Sequence, residues 1–283
     1  MTIESGGMDL STSKPGSVAS GTANSKGSWV ELIASTANAN EWAKLFITVN
    51  DSTAETYKID IGVGAASSEV VVIPDIVFYS KTDGQEAHAL LIPITIASGS
   101  RVSIRGATAS GSVRNFRASI QLNDVSDIGT CSNIDALGVG SSRGVTIDPG
   151  GTANTQGSWI ELIASTSAEY TLIIPMINVN NNGGLATTDW VVDIGIGGSG
   201  SEVVLIGEIL KTTTAFETHS NAYNNYHITV ASGSRLSARA QCGITDAADR
   251  LLDVSILGCQ FTAPTGGGGD GIPKLIGNGG LIG

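Results

Sequence analysis

Seven apolar runs follow one another between residues 28 and 122: SWVELIAS, AKLFITVN, YKIDIGVG, EVVVIPDIVFY, HALLIPITIA, RVSIRGA and NFRASIQL. Several alternate with period two. In RVSIR, Val102 and Ile104 share one face while Arg101, Ser103 and Arg105 share the other. In YKIDIGV, Ile59, Ile61 and Val63 point one way, with Lys58, Asp60 and Gly62 opposite. Such alternation predicts half-buried antiparallel strands. The breaks are turn chemistry, as at Asn50-Asp51-Ser52, Thr82-Asp83-Gly84 and Ser98-Gly99-Ser100. No segment carries a capped helical period. The pattern predicts an all-β fold, a sandwich or barrel.

The pattern then repeats. GTANSKGSWVELIAST, from Gly21, returns as GTANTQGSWIELIAST from Gly151. DIGVG at Asp60 returns as DIGIG at Asp193, SEVVVI at Ser68 as SEVVLI at Ser201, and ASGSR at Ala97 again at Ala231. A period this long is a whole domain rather than a solenoid unit. The expected organisation is an N-terminal arm (1–20), a first sandwich (21–128), a linker (129–144), a second sandwich (145–262) and a Gly-rich C-terminal tail (263–283). Val145-Thr146-Ile147 reads as the first strand of the second copy. The tail carries two identical apolar triplets, Leu275-Ile276-Gly277 and Leu281-Ile282-Gly283, which a plain linker does not need.

Composition narrows the function. The 283 residues include 37 glycines, only 14% are charged, and the formal net charge is −11. Mean hydropathy is +0.17, so the chain can bury a core. Nucleic-acid binding needs a basic footprint, and no Lys/Arg cluster is present; anionic membranes are disfavoured for the same reason. The N-terminal sequence has neither the basic nor the apolar region of a signal peptide. The three cysteines, Cys131, Cys242 and Cys259, show no framework or metal spacing. Cys242 and Cys259 can be paired on paper, but the reading adopted is free buried thiols and assembly in a reducing compartment.

Catalytic signatures are lacking. Of the histidines, His88 and His227 lead into the strand before ASGSR and read as partly exposed strand ends. No nucleophile elbow, phosphate loop or HExxH is present. Asp60/Asp193 and Glu69/Glu202 recur in both copies and read as solvated faces. Asn123, Asp124 and Asp127 read as turn residues rather than calcium ligands. The sharpest pair is Trp29/Glu31 with its repeat, Trp159/Glu161. An indole beside a carboxylate suits a sugar, the ring stacking on C–H faces and the carboxylate accepting hydroxyl bonds. Packing of the indole over its own sandwich is the competing explanation.

The order GTAN…GSW-x-ELIAST, DIG-x-G, SE-VV-x-I and ASGSR resembles a β-sandwich module of virion structural proteins of tailed bacteriophages, over residues 14–128 and 145–262. The resemblance implies a jelly-roll-like sandwich, assembly into a symmetric oligomer, and a place on the capsid surface or the tail. It transfers no catalytic residue. The expectation is therefore a non-enzymatic particle component, a capsid decoration or cement protein or a tail fibre, needing no cofactor or metal. Its partners would be other virion proteins and further copies of itself, it would be assembled in the host cytoplasm, and Leu275, Ile276, Leu281 and Ile282 would be its anchor. The alternative is a tandem module for a carbohydrate or host surface glycan.

Overall fold

The computed structural model describes residues 2–7, 16–49, 53, 55–80, 87–124, 129–180, 188–213, 224–245 and 250–264. Every regular element among them is a strand. Each of the seven apolar runs of the first copy holds one: β3 (Val30–Ile33), β4 (Asn40–Val49), β5 (Glu55–Val63), β6 (Val70–Ser80), β7 (Ala87–Ile96), β8 (Val102–Thr108) and β9 (Asn115–Asn123). Preceding them are β1 (Ile3–Gly6) and β2 (Ser17–Ala19), both paired with β9. One sheet runs β1-β9-β4-β7, and the other β3-β8-β5-β6. This is the strand order of a jelly roll, two facing sheets with the chain crossing repeatedly between them.

The second repeat follows the same plan with β10 (Thr130–Leu137), β11 (Val145–Ile147), β12 (Ile160–Ile163), β13 (Leu172–Val179), β14 (Thr188–Ile196), β15 (Val203–Thr213), β16 (Leu236–Cys242) and β17 (Leu252–Thr262). Its smaller sheet is β12-β16-β14-β15. Where the first repeat has β7, the described residues of the second form isolated bridges, Tyr170 to Val230 and Ile173 to Tyr226.

Three segments expected to lie outside the sandwiches belong to them. Ile3–Gly6 and Ser17–Ala19, in the supposed arm, pair with β9, and Thr130–Leu137, in the supposed linker, pairs with β17. In each repeat the outermost strand is thus split into halves, β1 with β2 and β10 with β11. The first half of each is fastened through a carboxylate. Glu4 accepts the backbone N–H groups of Ala37 and Asn38 at 2.7 and 2.8 Å, and Asp135 accepts the Tyr170 hydroxyl at 2.7 Å. The anchoring tail, with Leu275, Ile276, Leu281 and Ile282, lies outside the described residues.

The two sandwiches share a core. A bridge between Cys131 and Ile94 joins β10 to β7, so that nine strands form one continuous sheet. One face of β13 (Ile173, Ile177, Val179) fills the second sandwich, while Leu172, Ile174 and Met176 on the other face join the first repeat's core with Ile134, Leu257 and Cys259. Asn178 completes the contact. Its amide donates to Val77 O at 3.1 Å and its oxygen accepts Tyr79 N–H at 3.1 Å, which covers the edge of β6.

The cysteines depart from expectation. Cys131 and Cys259 form a disulfide between β10 and β17, with Cα atoms 5.6 Å apart. The pairing was hidden because β10 does not read as a strand. Cys242 is the free thiol, buried in the second core on the opposite sheet, and so cannot meet Cys259.

His88 also differs. It is buried between the strands beside Phe78, whereas His227 is exposed as expected. Burial, helped by the charge of Lys211, pushes the His88 imidazole from its usual 6.5 down to about 4. Between those values the unfolded chain binds the proton and the folded chain does not, so stability rises with pH across this window. Acidifying from about pH 7 to about pH 4 is expected to remove about 3 kcal/mol through this group. Urea titrations at stepped pH measure it; constant stability across the window would contradict it.

Candidate functional site

The recurring residues meet on the outer face of each small sheet. The GTAN block comes first because it fixes the approach to β3. Asn24 and Asn154 adopt left-handed backbone, φ 66° and 57°, and donate N–H to Thr108 O and Cys242 O at 2.7 and 2.8 Å. Asparagine tolerates this conformation better than most residues. The chain next lies along β8 or β16, where Gly27 and Gly157 donate to Gly106 O and Ala240 O. Trp29 and Trp159 follow directly, and their rings come to rest over Gly62 and Gly195. A Cβ at either glycine would approach the indole within 2.6 or 2.7 Å, so only glycine leaves room for it.

A guanidinium sits over each ring. Arg105 Cζ is 4.4 Å from the centroid of Trp29, and Arg239 Cζ 4.4 Å from that of Trp159. Behind each guanidinium is a buried aspartate. Asp60 accepts Arg105 Nε at 2.9 Å, Lys26 Nζ at 2.6 Å and Asp75 N–H at 3.0 Å. Asp193 accepts Arg239 Nε at 3.0 Å, Gln156 Nε2 at 2.9 Å and Glu208 N–H at 3.0 Å. Burial alone would raise the Asp60 carboxyl, but the Lys26 ammonium, the Asp75 N–H and Arg105 outweigh it and hold it below the usual range.

A second cluster lies one step along the face. Arg101 binds Glu31 at 2.7 Å and also Glu69. Arg235 binds Glu161 at 2.7 Å and Glu202 at 2.8 Å. Glu69 and Glu202, read as solvated, have almost fully buried side chains. Asp60 and Asp193 do point outward, but they too are buried, because the neighbouring basic or amide side chains fold over them.

Trp29 and Glu31 therefore share a face, as do Trp159 and Glu161, though each touches an arginine rather than its companion. These arginines are the residues that sequence reasoning passed over. Their signal is the pair RVSIR at Arg101 and RLSAR at Arg235, which places two arginines on the same outward row in both copies. Chemically the face is a set of paired charges in which carboxylates exceed cations by one in each repeat. Each carboxylate in it is bound to a cation or an amide, and no histidine stands among them. No group of three or more His, Cys, Asp or Glu able to hold a metal occurs among the described residues, and no helix among them is long and apolar enough to cross a membrane.

With its ring supported on one side and covered on the other, each tryptophan holds its sheet margin in place. Trp29→Ala and Trp159→Ala are each expected to lower stability by about 1–3 kcal/mol, less than for a fully buried aromatic. Denaturant midpoints measure this, and an unchanged midpoint would show the indoles to be structurally idle.

Fold and face together define a tandem jelly roll. No family model matches the chain, and no curated protein matches it. Among solved structures, PNGase F, a glycosylasparaginase from Flavobacterium meningosepticum, aligns at 10% identity and TM-score 0.37, over 93% of this chain and 98% of that one. A structure of Sulfolobus Turreted Icosahedral Virus aligns at 10% identity and TM-score 0.23, over 85% of this chain and 58% of that one. The tandem CBM22-1-CBM22-2 domain of Paenibacillus barcinonensis Xyn10C aligns at 10% identity and TM-score 0.26, over 91% of each chain. The chain spans 59% of the length of PNGF-II, another solved structure that it matches. These likenesses assign no activity.

Proposed function

We propose that this chain is a non-enzymatic structural protein that acts by packing, a decoration, cement or tail-fibre component of a bacteriophage particle. The observation that carries the reading is how the recurring side chains are used. In both repeats, Trp, Arg, Asp and Glu are consumed in stacking and ion pairs within one sheet face, while apolar surface is spent on sheet-to-sheet contact between the repeats. That is how a scaffold is built; an active site leaves an acid or base free to act. The acidic surface favours protein partners over nucleic acid. The test is the composition of purified particles. The chain should appear in fixed stoichiometry, and removal of residues 265–283 should abolish its incorporation; absence from particles would refute the reading.

A glycan-binding role is the second reading. It is favoured by the outward placement of an indole beside a carboxylate in both repeats, with the Glu31 and Glu161 side chains 47% exposed. A sugar would have to displace Arg105 or Arg239 from its ring. A glycan array comparing the parent chain with Trp29→Ala/Trp159→Ala decides the matter: binding lost in the variant supports it, and no binding by either removes it.

A further inference from the structure

We propose that copies of this chain associate head to tail, the outer face of one copy's β1-β9-β4-β7 sheet packing on the outer margin of β14 and β15 of the next. This deepens the packing role by naming the partner as a second copy.

The interface already exists once inside the chain. There the outer face of β10, β17 and β13 covers the margin of β5 and β6, and each side of that contact has a counterpart with a more exposed side chain. On the margin side, Val77 corresponds to Leu210, as Asp60 corresponds to Asp193. Val77 is 0% exposed and Leu210 is 57% exposed. Lys58, which opposes Val77 and reaches Gly140 O at 3.1 Å, corresponds to Val191, which opposes Leu210. At this pair the exposed margin is the more apolar one, while the next outward pair, Thr56 with Tyr79, is replaced by the more polar Asp189 with Thr212.

On the sheet side, Ile134 opposes Cys259 and Ile3 opposes Asn123, and Cys259 and Asn123 each stand nine residues beyond Arg250 and Arg114. Ile3 is therefore the counterpart of Ile134. Ile134 is 6% exposed and Ile3 is 58% exposed. Along β4, Trp42, Phe46 and Thr48 stand where β13 has Leu172, Met176 and Asn178, counted from the matching Thr36 and Thr166. All of β13 is buried, whereas these three β4 residues are half-buried. Lys44, Gln121 and Asn123 replace Ile174, Leu257 and Cys259, so that polar side chains are interleaved with the apolar ones, Asn123 between Ile3 and Trp42 and Lys44 over Phe46. That composition suits a face that must stay soluble in the free chain and still pack against a partner. Because the two surfaces differ, the contact is heterologous and builds rings or filaments rather than a two-fold dimer.

Sedimentation velocity tests this on the full chain, on Ile3→Asp, on Leu210→Asp and on an equimolar mixture of the two variants. The parent chain should grow beyond a dimer as its concentration rises. Each variant should lose roughly tenfold or more in self-association constant, because an aspartate must be desolvated at the contact. The mixture should form a heterodimer and nothing larger, since one variant keeps the sheet face and the other keeps the margin. Thermal midpoints should match the parent, both sites being largely exposed. A parent chain that stays monomeric, variants of parental midpoint that assemble as well as the parent, or a mixture that stays monomeric would each overturn the proposal. A monomeric parent chain would leave membership of a particle to be decided by particle composition alone.

Discussion

Replacing both Cys131 and Cys259 by alanine is expected to lower the free energy of unfolding by about 5 kcal/mol. The bridge spans 128 residues of sequence, nearly all of the second repeat. In the chain-entropy description, closing a loop of that length restricts the unfolded ensemble by about this amount. The two residues also lie in the core shared by the repeats, so nothing exposed compensates for their loss. Urea unfolding of the oxidised parent, the reduced parent and the double variant measures the effect. Reduced parent and double variant should agree with each other and fall well below the oxidised chain. Equal stability with and without reductant would show that the bridge contributes nothing.

Asn178→Leu should come next in size. Asn178 is buried and satisfies two backbone groups of the other repeat, Val77 C=O and Tyr79 N–H. Leucine keeps much of the volume and leaves both groups without a partner in a dry contact. At about 1–3 kcal/mol for each orphaned group, the expected loss is about 2–6 kcal/mol. The loss is concentrated at the junction, so calorimetry should also change in form, one transition separating into two as the repeats uncouple. Thr48→Leu, at the corresponding half-buried position of the first repeat, should change stability by less than about 1 kcal/mol. A single transition in Asn178→Leu with the parental midpoint would mean that the junction does not depend on this side chain.

The fold was readable where strands are long and alternate. All seven runs of the first repeat became strands because each presents an apolar row to its own sandwich. The strands missed were β1, β2 and β10. IESG and SVA are too short to display a period, and in TCSNIDAL a register shift between Cys131 and Ile134 breaks the alternation. Once β10 is taken for a linker, its cysteine has no visible partner, and the thiols read as free. At the candidate site, pattern placed Asp60 outward correctly but could not foresee that Lys26 and Arg105 would close over it, since those contacts join residues far apart in sequence. Asn178 carries no sequence signal at all. A polar residue at the end of an apolar strand looks like a turn until the neighbouring repeat is in place.

The position of the last strand in each sheet bears on the order of synthesis. β9 is hydrogen-bonded to β1 and β2 on one side and to β4 on the other, and β17 lies in the same way between β10 with β11 and β13. A nascent chain therefore carries the opening strand of each repeat without its sheet neighbour until the closing strand leaves the ribosome, and such long-range pairing is slow to form. In the second repeat, β10 emerges next to a finished first repeat and can lie along β7 at once.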